Sequence, residues 1–248
     1  METVNPNLKQ YKYTVGILIY HRTPELVEMA KDCLGSVLAN IDRNETELII
    51  ADNGSPEYSD VWRQNADTYI RFDRNMGISH GWNAILKLAR GKYINILGDD
   101  TKVRQGWLEA MKEAMDQPDC GIANIHVEHL PVGIGIVENY KWFSHACFML
   151  TQNTINKVGY YREDLYFPCN WEDTDYIIRT YKAGLKTYVN YGKSIQHLEG
   201  QTVHAKDLSS EFMRLKEVFV KEHGFDPVPF LYGNEDLYDK LGIVKSNS

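Results

Sequence analysis

The sequence predicts an α/β fold, a mostly parallel central sheet flanked by helices. Three observations predict it. Short, apolar, β-branched runs alternate with helical stretches through the first hundred residues, the pattern of a parallel sheet covered on both faces. Polar or acidic clusters close these runs at "YHR" (20–22), "ADNGS" (51–55) and "GDDT" (98–101), where open α/β sheets bind their ligands. A chain of 248 residues, 43% of them apolar, can bury such a core as one large domain or two small ones.

Each element follows in order. "TVGILIY" (14–20) is short, apolar and β-branched and reads as a buried strand. Thr23 and Pro24 form an N-cap and first-turn pair, and Leu26, Ala30, Cys33, Leu34, Val37 and Ile41 follow at helical spacing. "ELIIAD" (47–52) is the second strand and "TYIRFD" (68–73) the third. A helix from Ser79 to Ala89, ended by Gly91, leads into "KYINIL" (92–97), the fourth. "GIANIHV" (121–127) and "HACFMLT" (145–151) read as strands, and the residues between them as a loop or hairpin insertion. "DTDYIIRTYKAG" (173–184) is a helix ending at Gly184. The segment 208–224 is an amphipathic helix whose Phe212, Leu215, Val218 and Phe219 form a core-packing stripe. The tail after Phe225 reads as an extended strap, and the chain contains no internal repeat.

Composition narrows the function. Asp plus Glu number 34 against 27 Lys plus Arg, a formal net charge of −7. That disfavours broad binding to nucleic acid, which needs a basic surface. No apolar run reaches the length of a membrane span, and "METVNPNLKQYKY" lacks the apolar stretch of a secretory signal. Cys33, Cys120, Cys147 and Cys169 lack metal-ligand spacing and read as buried thiols in a reducing compartment. A cytoplasmic protein is the expectation.

Several candidate site residues carry two readings each at this stage. Asp99 and Asp100 form either a polar β-turn or a metal site at a strand's carboxyl end. Asp52 makes either an Asx-turn or a charge-assisted bond to a ligand N–H. "NMGISHGWN" (75–83) puts glycines and asparagines where a loop meets a helix, either a turn with an N-cap or a close approach to a ligand. In "WEDTD" (171–175) three acids in four residues stand at a helix N-terminus, more than one cap needs. His197, a lone histidine after a strand, reads as structural, and Trp171 as packed.

The order of these pieces, from "YHRT" through "ADNGS", "NMGISHGWN", "GDDT" and "WEDTD" to "IQHLEG", resembles the family-two glycosyltransferases with the GT-A fold. The rhamnosyltransferase-like branch, with its N-x-G…G-x-N loop, is the nearest pattern, and the resemblance covers residues 13–202. It implies a nucleoside-diphosphate sugar donor, UDP- or dTDP-linked, a divalent metal and inversion at the anomeric carbon. It implies one domain: a nucleotide-sugar-binding half (13–104), an acceptor and catalytic half (105–204), and a C-terminal helix and tail (205–248). Carried onto this sequence, Asp52 matches the base-binding aspartate, and Asn75, Gly77 and Asn83 match the donor loop. Asp100 matches the last acid of the D-x-D metal motif and His197 the histidine that completes it, around Mn2+ or Mg2+. Asp173 matches the general base, with Glu172 beside it orienting the acceptor. Two positions depart. Gly98 stands where the motif has its first acid, which leaves Asp99 a ribose contact, and His21 stands where Asn is common, with His21 and Arg22 facing the nucleotide.

The resulting expectation is an inverting, metal-dependent hexosyl- or pentosyltransferase. A glycan hydroxyl is the first acceptor class, and a protein or a hydroxymethylated DNA base are others, the last disfavoured by charge. A non-catalytic sugar-nucleotide- or glycan-binding scaffold on the same fold is the alternative, kept open by Gly98. A dinucleotide oxidoreductase lacks its G-x-G-x-x-G after the first strand, and a sugar nucleotidyltransferase lacks a glycine-rich basic loop there.

Overall fold

A computed structural model of the chain describes residues 9–139, 144–198 and 209–231. Its first half contains β1 (Tyr11–Ile19), α1 (Pro24–Leu38), β2 (Thr46–Asp52), α2 (Val61–Asn65), β3 (Thr68–Arg71), α3 (Ile78–Leu88), β4 (Gly91–Gly98) and β5 (Thr101–Lys102). Then come α4 (Trp107–Met115), β6 (Cys120–Val127), β7 (Ile136–Glu138), β8 (Cys147–Thr151), α5 (Gln152–Val158), α6 (Glu172–Lys182), β9 (Lys186–His197), α7 (Ser209–His223) and α8 (Pro227–Leu231).

The strands form a sheet in the order β3-β2-β1-β4-β8-β6-β9-β5, with β7 paired to β9. β1, β2, β3 and β4 are mutually parallel, while the short β5 runs antiparallel to β9. β8 then runs antiparallel between β4 and β6, and β6 and β9 are parallel again. The sheet is thus parallel in its first half and mixed in its second, as the sequence predicts for an α/β fold. β2 is buried at every position, which is why Leu48, Ile49, Ile50 and Ala51 run apolar without alternation up to Asp52.

Two apolar layers cover the sheet. α1 and α4 bury Val27, Leu34, Val37, Trp107 and Met111 on one face. α3, α6 and α7 bury Trp82, Ile85, Ile178, Leu215 and Phe219 on the other. The stripe on α7 is core packing at Leu215 and Phe219, both fully buried. Phe212 lies further out, its ring against that of Trp171.

Several boundaries differ from expectation. Gly91 does not end α3, whose C-cap is Ala89; it opens β4, opposite Tyr11. Thr23 does occupy the N-cap of α1 with Pro24 following it, but its side chain makes no cap bond. The insertion between β6 and β8 contains β7, and its residues 140–143 lie outside the described residues; the tail expected as an extended strap instead forms α8 over Pro227–Leu231 and lies outside the described residues beyond 231. Three cysteines are buried as expected, but Cys169 is only partly so. Among the described residues no helix is long and apolar enough to cross a membrane.

Candidate active site

The carboxyl ends of β1, β2 and β4 face one cleft of about 560 Å³, closed on its far side by the segments before β8 and α6. Tyr20, Arg22, Asn53, Asn75, Asp99 and Asp100 line it from the first half. Ser144, His145, Cys169, Glu172, Asp173 and His197 line it from the second.

Asp100 leaves the end of β4 and meets His197, whose Nε2 lies 3.2 Å from its Oδ2. The short β5–β9 ladder makes this meeting, pairing Thr101 with His197, and the Leu198 amide donates to the Asp100 carbonyl at 3.0 Å. Gly98 makes room for the carboxylate, since a Cβ there would lie 2.8 Å from Asp100 Oδ1. The departure from the D-x-D pattern thus sits where a side chain would crowd the retained acid.

Asp99 turns the other way. Its Oδ2 lies 3.0 Å from His21 Nε2 and accepts from the Tyr20 amide at 3.2 Å. Burial pushes this carboxyl's pKa above the ordinary carboxylate range, and His21 works against that rise. His21 is fully buried against Trp62, with ring centroids 5.2 Å apart. It stands behind Asp99 and is not in the cleft wall, whereas Arg22 is.

The structure does not bring the Asp52 carboxylate to the cleft wall. Asp52 is 0% exposed. Its Oδ1 accepts from the Ser55 amide at 2.8 Å, and its Oδ2 takes Arg71 Nη1 at 2.7 Å and the Tyr69 hydroxyl at 3.0 Å. Both oxygens are spent on the turn and on β3. The neighbouring Asn53 reaches the cleft instead, and the sequence reading passed over it. Its amide donates to Asn75 Oδ1 at 3.1 Å and to the Gly77 carbonyl at 3.2 Å, and accepts from the Met76 amide at 2.9 Å. Gly77 is the N-cap of α3 with φ 87°, a left-handed conformation that favours glycine. Asn83 is one turn too far along α3: its side chain donates to the Tyr161 carbonyl and accepts from the Tyr161 amide, at 2.8 and 2.9 Å. It ties the two halves together outside the cleft.

Glu172 and Asp173 begin α6. The N-cap is Trp171, held at φ 70° after Asn170 at φ 97°, an uncommon backbone for residues with a Cβ and a marker of functional loops. Asp173 therefore does not cap the helix. Its Oδ1 accepts from the Thr174 amide at 2.6 Å and the Thr174 hydroxyl at 3.2 Å. Glu172 is 5% exposed, and its Oε2 takes no hydrogen bond among the described residues. Burial, and then the charge of Asp173, push its pKa well above the ordinary carboxyl value. Asp175 points away, 2.7 Å from Arg179 and 2.8 Å from His223. Trp171 is packed, its Nε1 donating to the Phe212 carbonyl at 3.2 Å. Burial raises the Cys169 thiol to about 12, so it lines the cleft as a neutral group.

Sequence reading also missed the aromatic floor. Trp82 and His145 line the cleft with rings stacked 5.7 Å apart. Trp82 looks like an ordinary core position of α3, and His145 opens a strand-like run, so nothing local distinguishes either.

The residues present fit a divalent cation in part. Among the described residues no three His, Cys, Asp or Glu side chains are grouped to hold one alone. Asp100 and His197 supply one oxygen and one nitrogen donor side by side, and Mg2+ and Mn2+ ordinarily complete their shells with phosphate oxygens and water.

Comparison with known proteins follows from this geometry. The mannosyltransferase PcManGT from Pyrobaculum calidifontis, in complex with GDP-Man and Mn2+, superposes with a TM-score of 0.66 at 15% identity, over 93% of this chain and 70% of that one. GalNAc-T7 with UDP, GalNAc and Mn2+ gives 0.63 at 12% identity, over 94% of this chain and 55% of that one. TarS 1-349 of S. aureus gives 0.59 at 15% identity, over 84% and 65%. The chain thus spans about half the length of GalNAc-T7 and about two thirds of TarS; these likenesses establish the GT-A fold. No curated protein matches it significantly in sequence. Residues 14–178, well over half of the 248, match glycosyl transferase family 2, and the chain belongs to that family.

Proposed function

We propose that the chain is an inverting, metal-dependent glycosyltransferase that moves a sugar from a nucleoside-diphosphate sugar to an acceptor hydroxyl, with a glycan as the acceptor class. The observation that carries this reading is one cleft shared by the Asp100–His197 pair and the Glu172–Asp173 pair. Two jobs, holding a diphosphate and accepting a proton, thereby fall to two different pairs of side chains in one cleft.

Asp100 and His197 would hold Mn2+ or Mg2+, which when bound supplies positive charge against that developing on the leaving diphosphate. Arg22 adds a cation on the same side. Asn53, Asn75 and Tyr20 line the cleft and would take the nucleoside, and Asp99, beside His21, would offer a ribose contact. Asp52 serves this end indirectly, by fixing the 52–55 turn and Arg71; a direct base contact would need that pair to open. The acceptor oxygen attacks the anomeric carbon as the bond to the diphosphate oxygen breaks, and Asp173 takes the hydroxyl proton. Its Oδ1 is fixed by Thr174, which orients the carboxylate. Glu172, whose carboxyl pKa is raised by burial and by the charge of Asp173, would donate a hydrogen bond that orients the acceptor.

The complexes of PcManGT with GDP-Man and Mn2+ and of GalNAc-T7 with UDP and Mn2+ support a nucleotide donor and a metal for this fold. A UDP- or dTDP-sugar is the first donor class to test. The likeness to the rhamnosyltransferase branch rests on the 75–83 loop, where Asn75 lines the cleft and Asn83 does not. The test is donor turnover with a panel of nucleotide sugars, with and without Mn2+, followed by mass spectrometry of candidate acceptors. Metal-dependent release of nucleoside diphosphate is the expected result. A chain that binds sugars or nucleotides but turns over no donor would instead be a scaffold on this fold.

A further inference from the structure

A second cavity of about 210 Å³ opens beside the cleft, and Ser144 stands in the wall of both. A break in the β6–β9 ladder builds it. Ile125 pairs with Asn190, but the next pair is His126 with Ser194, so Tyr191, Gly192 and Lys193 bulge out of β9. Bulges re-aim side chains and are frequent beside functional sites. This one sets Tyr191 in the cavity wall, its ring 5.5 Å from that of His126 and its hydroxyl 3.3 Å from Asn139 Nδ2. Gly133 packs on the Tyr191 ring, where a Cβ would come within 2.6 Å. Asn124, whose amide donates to the Ser144 carbonyl, lines this second cavity as well. Leu130, Pro131 and Val189 give the remaining wall an apolar surface.

The chemistry of this wall restricts its ligand. Among the described residues no Asp, Glu, Lys or Arg lines the cavity, so a charged group entering it would lose water and gain no counter-charge from them. It is smaller than the roughly 300 Å³ at which pockets for drug-sized ligands begin. Aromatic rings beside amides suit a ligand with an apolar face and a polar rim, and a neutral pyranose has both.

We propose that this cavity is an acceptor subsite, holding a neutral sugar residue adjacent to the one whose hydroxyl is glycosylated in the cleft. The inference rests on the transferase reading and deepens it, because it makes the acceptor a neutral oligosaccharide at that position and not a phosphorylated or uronic-acid one.

The test is binding of the full chain, without donor, to an array of neutral di- to tetrasaccharides beside matched phosphorylated and uronate-containing members. Wild type should retain neutral members selectively. Tyr191→Ala should weaken that binding about tenfold, the weight of one aromatic contact. Asn139→Ala should weaken it less, and both should leave nucleoside-diphosphate affinity and the melting curve unchanged. If Tyr191→Ala does not fold, Asn139→Ala and His126→Ala decide the matter. Absence of neutral binding, preference for anionic members, or undiminished binding in the folded variants would overturn the subsite. The transferase reading fails separately: a wild-type chain that binds oligosaccharide through Tyr191 but turns over no donor loses the reaction and keeps the site.

Discussion

His197 Nε2 lies 3.2 Å from Asp100 Oδ2, although 97 positions separate them in the chain. The ladder between β5 and β9 creates this juxtaposition, so the pair is a product of the fold and not of a local turn. Two donors at that separation suit one cation. Asp100→Ala or chelation should abolish transfer and strongly weaken nucleoside-diphosphate binding, read by calorimetry with and without Mn2+. His197→Ala should raise the Mn2+ concentration needed for half-maximal activity. Full transfer in excess EDTA would remove the metal from the mechanism, and an unchanged metal titration in His197→Ala would leave that histidine structural.

Asp173 should act in chemistry and not in donor binding. Because Trp171 is the N-cap of α6, Asp173 is not needed to end the helix, and Asp173→Asn keeps its size and its bonds to Thr174. Removing a general base costs about 10²- to 10⁴-fold in rate. The expected outcome is a collapsed kcat, donor affinity close to wild type and a melting temperature that barely moves. A near wild-type kcat in this variant ends the assignment.

Much of this site is legible in the sequence because it sits at strand ends. Continuous apolar runs predict β1, β2 and β4, and their ends place Asp99 and Asp100 at the cleft. Asp173 and His197 are legible only through the order of motifs, since neither has a local signal beyond that of a helix start or a lone histidine. β9 was not legible. Its sequence, "KTYVNYGKSIQH", loses alternation at the bulge between Asn190 and Ser194, so its period never settles. Asp52 stays off the cleft wall for a different reason. A carboxylate at the end of a buried strand faces a ligand unless something closer claims it, and here Arg71, 19 residues on, and Tyr69 both do. Only the pairing of β2 with β3 reveals that.

α7 should hold α6 in place. Asp175 lies between Arg179 on its own helix and His223 on α7, with its side chain fully buried. Burial pushes this carboxyl up, but His223 and Arg179 outweigh it and hold its pKa below the ordinary range. Arg162 pairs with Glu222 and Arg214 donates to the Phe167 carbonyl, so α7 also grips the segment leading to α6. Breaking a buried pair from one side costs about 3–5 kcal/mol. Asp175→Asn should destabilise by that order at neutral pH, measured by urea denaturation. A carboxyl with a depressed pKa stabilises above its unfolded value and loses that contribution as pH falls through the folded one. The deficit of Asp175→Asn should therefore shrink on acidification below about pH 4. An equal deficit throughout that range would show that packing, not charge, is what the variant loses.

Glu172 and Asp173 are adjacent carboxyls in different environments. Glu172 is almost wholly buried, and burial, followed by the neighbouring charge of Asp173, raises its pKa. The folded chain therefore keeps this proton at pH values where the unfolded chain has released it. When the folded state binds more protons, stability falls as pH rises through the unfolded carboxyl's pKa, about 4.3. Glutamine has the same shape, keeps an N–H donor and cannot ionise. Glu172→Gln should match wild type in melting temperature near pH 4, and exceed it increasingly as the pH is raised toward neutrality. Its transfer rate should stay within about tenfold of wild type, since a neutral donor replaces a neutral donor, against the 10²- to 10⁴-fold loss expected of a missing base. The two readouts are independent. A Glu172→Gln chain that is less stable at neutral pH would mean that the wild-type carboxyl is ionised and paired. One that is as inactive as Asp173→Asn would move the base from Asp173 to Glu172.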